Sequence, residues 1–138
     1  MSDFIYGSEL QEHHCRLGWE FFVFKKSDAD AKGDRRDGLR ILARWESGMG
    51  GEKWIDDLVT SGRAEFLKAG GLFHAYTLTA STLVDVLSDG VPQHTGPMVI
   101  GDDYVTPSGW RDNVKIDWDA LRALDANELL LVDMVDQS

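Results

Sequence analysis

The chain has 138 residues, 43% of them hydrophobic and 28% charged, with five Trp, six Phe and a single Cys. That length and apolar content suit one domain with its own core and exclude a disordered chain, while a lone cysteine excludes an internal disulfide and fits a reducing compartment. With 14 Lys and Arg against 24 Asp and Glu, the net charge of −10 disfavours nucleic acid and anionic lipid, which are bound through cationic side chains, and favours a basic partner.

The first fifteen residues carry acid at Asp3, Glu9 and Glu12 and lack the basic and apolar regions of a secretory signal. The longest apolar runs, Phe21–Phe24 and Leu129–Val132, are far too short to span a membrane, so a cytoplasmic protein is expected. Ser8 is the candidate cap of a short helix over Glu9–Arg16. Trp19–Phe24 is aromatic and β-branched, and its near-continuous apolar character predicts a central strand. Ser27–Gly38 is polar and charged, which predicts a solvent loop. Leu39–Trp45 alternates, with Leu39, Ile41, Ala43 and Trp45 inward, Arg40 and Arg44 outward, and Leu42 as an imperfect outward position. After Gly48, Gly50 and Gly51 a helix over Glu52–Ser61 is expected, with Trp54, Ile55, Leu58 and Val59 on one face and Gly62 stopping it.

Ala64–Lys68 and Leu72–Thr79, joined through Gly70-Gly71, read as a hairpin, although the first arm is also rich in helix formers. Ser81–Leu87 fits a helix or a strand. Val91–Gly109 holds all three prolines and predicts loops with one short strand near Met98–Ile100. Val114–Ile116 predicts a strand, Asp117 an N-cap, Trp118–Leu124 a two-turn helix, and Leu129–Val135 a largely buried final strand. These elements make one α+β domain over 1–138, with a mainly antiparallel sheet packed by two or three short helices.

Few residues carry a chemical signature. His13-His14-Cys15 has the vocabulary of a nucleophile and base, but adjacent side chains diverge, and His74 and His94 stand at no metal-ligand spacing. Asp28–Asp34 outlines a calcium loop, then places Lys32, Arg36 and Leu39 where ligands are required. Gly48–Gly51 matches no phosphate-binding fingerprint. Neither a metal nor a cofactor is expected.

The charge is also uneven. Lys25–Arg44 carries a net of +3 and the chain from Asp102 onward a net of −6, either as two surface patches or as segments that neutralise each other. The expected function is an acidic protein-binding module, of the inhibitor or immunity type, neutralising a basic enzyme such as a nuclease. Its partner surface is placed on Asp102, Asp103, Tyr104, Trp110 and Asp112, where acids flank two aromatics in a proline- and glycine-punctuated segment. Two other classes fit: a small hydrolase-like enzyme using Cys15 or the histidines, and a structural or adaptor subunit of a larger assembly.

Overall fold

The computed structural model describes residues 18–33, 35–48, 50–70, 73–92, 98–100, 104–106 and 111–136. In chain order these form β1 (Gly18–Lys25), α1 (Lys26–Ala31), β2 (Ala43–Gly48), α2 (Lys53–Thr60), β3 (Glu65–Gly70), β4 (Phe73–Thr79) and α3 (Ala80–Leu87). They continue through β5 (Met98–Ile100), β6 (Tyr104–Thr106), β7 (Arg111–Ile116), α4 (Trp118–Ala123) and β8 (Leu129–Asp136). Six strands make one antiparallel sheet in the order β3-β4-β8-β1-β2-β7, while β5 and β6 pair separately. The expected mixed fold, with an antiparallel sheet and short helices, is the observed one. The candidate helix over Glu9–Arg16 lies outside the described residues.

β1 and β8 sit at the centre of the sheet, as their apolar runs require. Alternation divides each strand between two faces. On the inner face, Phe21 and Val23 of β1, Trp45 of β2, Tyr76 and Leu78 of β4, and Leu130, Val132 and Met134 of β8 form the main core. Ile55 and Leu58 of α2, Leu83 and Leu87 of α3, and Leu121 of α4 close over it. Trp54, Trp118 and Leu124 are partly buried at its rim. Phe21 stacks on Trp45 with ring centroids 5.0 Å apart, and Trp54 packs within 5.7 Å of both rings.

Helix ends follow local chemistry. The Asp117 carboxylate accepts the Ala120 N–H at 3.1 Å and caps α4. The Thr79 hydroxyl accepts the Thr82 N–H at 3.3 Å, which starts α3 and settles Ser81–Leu87 as helix. Gly62, at φ 82°, ends α2 as expected. Both edge strands are bulged: Leu67 is the extra residue of β3 against β4, and β7 slips against β2 beside Asn113, at φ 50°. Bulges twist an edge and blunt its use as a template for further strands.

Three local expectations are corrected. Ser27–Gly38 is not all loop, because Lys26–Ala31 forms α1, supported by the Lys26–Asp30 ion pair one turn apart, with Ala29 fully buried. The strand expected at Leu39–Trp45 begins only at Ala43 and runs to Gly48. Consequently Ile41 is 44% exposed and Leu42 only 3%, the reverse of the alternation. The Leu42 N–H donates to the Val23 carbonyl, and its own carbonyl accepts from the Asp117 N–H, so an irregular segment delivers Leu42 to the core beside Ala43. Finally, Met98–Ile100 does not stand alone, since Tyr104–Thr106 pairs with it.

Candidate functional site

The sheet's outer face carries charge as well as apolar side chains. Across its middle row Ala75, Asp133, Phe22, Arg44 and Lys115 lie side by side on five strands. The segment after α1 crosses this face and places Arg36 on Asp133, with Nε–Oδ2 at 2.6 Å and Nη2–Oδ1 at 3.2 Å. Arg44 pairs with Glu20 at 2.6 Å and lies 5.4 Å over the Phe22 ring. Burial pushes the Glu20 carboxyl above its ordinary range, and Arg44 pulls it back without cancelling that effect. Arg40 pairs with Asp117 and, chiefly through that hydrogen bond, holds its carboxyl below the usual range. The basic segment and the acidic C-terminal segment therefore neutralise each other across the fold. Between the crossing segment and the sheet lies a cleft of about 720 Å³, walled by Phe22, Phe24, Leu39, Ile41, Phe73 and Val135, with the Arg36–Asp133 pair in its side.

A different chemistry gathers at one corner of the inner face. Its residues are Trp19 on β1, Glu52 at the N-cap of α2 and Asp56 in its first turn, Phe66 on β3, and His74 and Tyr76 on β4. The local fold that sets Glu52 in place is built from glycine. Gly50 turns the chain at φ 88°, and a Cβ on Gly51 would collide with the buried Ser47 side chain, so only glycine allows the loop to close onto the end of β2. The Gly48–Gly51 run thus has a structural role. Glu52 then accepts the Trp19 indole N–H at 2.9 Å. One turn later Asp56 faces the same side, and Lys53 is committed to Asp57 at 2.7 Å.

Neither Glu52 nor Asp56 has an ion-pair partner among the described residues. Asp56 is exposed, yet partial loss of hydration first, and then the neighbouring charges of Glu52 and Asp57, push its carboxyl above its ordinary range, with His74 opposing. Burial and the same acids, Asp56 and Glu52, push the Tyr76 phenol up. Both carboxylates therefore lie close enough to act on the phenol. Phe66 sits edge-on to both Tyr76 and His74, with centroids 5.4 and 6.0 Å away, and Trp19 lies 6.3 Å from His74. Phe66 is 46% exposed, so this corner opens to solvent.

Of the residues singled out from sequence, Asp102, Asp103 and Trp110 lie outside the described residues, as do His13, His14, Cys15 and His94. Tyr104 belongs to β6, and Asp112 to β7, the edge of the sheet opposite β3. His74 joins the acidic–aromatic corner. Among the described residues no group of three or more His, Cys, Asp or Glu is arranged to hold a metal ion, and no helix is long and apolar enough to cross a membrane. Sequence reading passed over the corner because it joins four elements; its local traces were Glu52 and Asp56 one turn apart and Phe66 on an edge strand. Comparison with protein-family models, curated proteins and solved structures found no match to this chain.

Proposed function

We propose that this protein is an acidic, non-enzymatic binding module whose partner is a basic protein, and that it acts as an inhibitor of the immunity type in the cytoplasm. The observation that carries this reading is the Glu52–Asp56 pair, two like charges one turn apart, without an ion pair among the described residues and acting on the Tyr76 phenol against which the exposed Phe66 ring packs. Such a pair opposes helix stability, and a cationic surface relieves it. The internal ion pairs support the reading too. Arg36, Arg40 and Arg44 are consumed by Asp133, Asp117 and Glu20, which leaves the negative balance of the chain to face solvent elsewhere. A field of that sign accelerates encounter with a cation-rich protein. The segment from Asp102 to Asp112, with Tyr104 and Trp110, is proposed as a second contact on the strength of its acids and aromatics.

The test begins with capture of binding proteins from native lysate and follows each through association kinetics over a range of salt. The expected partner is a basic protein bound one to one, whose association slows as salt rises and whose own activity is lost in the complex. A stoichiometric partner that is acidic, or that associates at the same rate at every salt concentration, overturns the reading. Comparing Glu52→Gln/Asp56→Asn with Asp102→Asn/Asp103→Asn assigns the salt-sensitive step to one segment or the other.

A further inference from the structure

We propose that the Trp19–Glu52–Asp56–Phe66–Tyr76 corner is a receptor for one alkylammonium or guanidinium group, the end of a Lys or Arg side chain on the basic partner. This rests on the binding reading above and gives it a site. Three independent features converge. The first is the ring arrangement: Phe66 meets His74 and Tyr76 at 63° and 62°, and Trp19 is tilted 42° to His74, so the ring planes of one contiguous cluster differ in direction and the 46% exposed Phe66 brings that cluster to the surface. Ring faces carry the negative part of the aromatic quadrupole and attract cations. Among the described residues no cation lies over Trp19, Phe66 or Tyr76, whereas Arg44 and Arg122 cover Phe22 and Trp118 elsewhere in the fold.

The second feature is fixed negative charge at the rim. Glu52 is held by the Trp19 indole, so its carboxylate is oriented before any ligand arrives, and Asp56 stands one turn along. The third is Tyr76. It is only 5% exposed, both carboxylates act on its phenol, and its hydroxyl has no hydrogen-bond partner among the described residues. The phenol oxygen itself reaches solvent, where it can accept from an incoming N–H donor. Among the described residues of this corner, four are ring side chains and three supply oxygen, a composition suited to an organic cation more than to a metal ion.

The experiment titrates the full chain at low salt with butylammonium and butylguanidinium, using butanol as the uncharged control, and follows the Trp19 indole resonance. Saturable shifts are expected for both cations, with dissociation constants on the order of millimolar, and none of comparable size for butanol. Phe66→Ala should weaken butylammonium about two- to fivefold, the loss of one exposed cation–π contact. Phe66→Leu, which keeps apolar bulk, should weaken it as much, and this separates ring chemistry from packing. Glu52→Gln/Asp56→Asn should abolish saturation in the same range. Equal shifts with butanol, no saturation by either cation, or unchanged affinity in Phe66→Leu would overturn the site. The two readings fail separately. A captured basic protein bound unchanged by Phe66→Leu and by the carboxylate variant leaves the function standing without this receptor. Cation binding with only an acidic or salt-insensitive partner leaves the receptor without that function.

Discussion

Arg36→Ala should be the most destabilising surface substitution in the fold, because it leaves a carboxylate stranded on the sheet. Asp133 occupies the middle of β8 between Ala75 and Phe22, and its side chain is 8% exposed against 23% for Arg36. The two side chains meet through two hydrogen bonds, at 2.6 and 3.2 Å. Removing one partner of a buried pair costs about 3–5 kcal/mol, since the other keeps its desolvation penalty and loses its compensation. Water reaches part of this pair, so the lower end, about 3 kcal/mol, is expected. For a chain of this length the unfolding entropy is roughly 0.3 kcal/mol/K, and the melting temperature should fall by about 10 °C. Urea unfolding followed by the fluorescence of the buried Trp45 measures the change, with the slope against denaturant unaltered. The paired replacement Arg36→Met/Asp133→Leu should return to within about 1 kcal/mol of wild type, because two apolar side chains leave no stranded charge. A loss below about 1 kcal/mol for Arg36→Ala, or a double variant no better than the single, would refute the idea that Arg36 exists to neutralise Asp133.

Leu58→Ala should cost about 2–5 kcal/mol, read from the urea midpoint, since Leu58 is buried between α2 and the sheet and its cavity would be walled by the main core. Glu20 and Asp117 should give the pH dependence of stability opposite slopes. The folded pKa of Glu20 is raised, so its contribution is full below its unfolded value and is lost as pH rises through the raised one; relative to Glu20→Gln, the wild type should gain stability as pH falls from neutrality. The folded pKa of Asp117 is lowered, so its contribution is present above its unfolded value and lost as pH falls through the folded one, and Asp117→Asn should flatten that acid limb of the urea midpoints.

The elements legible in the sequence are those whose burial is one-sided or continuous. β1 reads as a central strand and β8 as a largely buried one because both their faces are covered, and α2 reads as a helix because Ile55 and Leu58 turn inward while Lys53, Asp56 and Asp57 remain outside. α1 escaped because its buried position is an alanine. Ala29 packs against Phe24 and Leu131 by being small, and small size leaves no apolar stripe; the Lys26–Asp30 spacing was the only local mark of a helical turn. The inversion at Ile41 and Leu42 has a different origin. Alternation holds only where the backbone is already in a strand, and the segment before Ala43 is not.

Charge summed along the sequence did not point to the α2 corner, for a related reason. Summed along the sequence, the acidic surplus is heaviest from Asp102 onward, and that is where the acids and aromatics drew attention. Folding changes the sum that a partner meets. Arg36 and Arg40 come from the basic segment and spend their charge on Asp133 and Asp117 of the acidic one, so part of the surplus at that end is cancelled internally. α2 receives no such relief at Glu52 and Asp56, although its local sequence is less acidic than the tail. What matters for recognition is the charge left unpaired after folding and the surface beside it. At the α2 corner that surface is aromatic, partly open, and already holds one carboxylate in position through Trp19. No count of acids along the chain contains that arrangement, because Trp19, Glu52, Phe66 and Tyr76 come together only when β1, β3 and β4 are set in one sheet and α2 packs on its inner-face core.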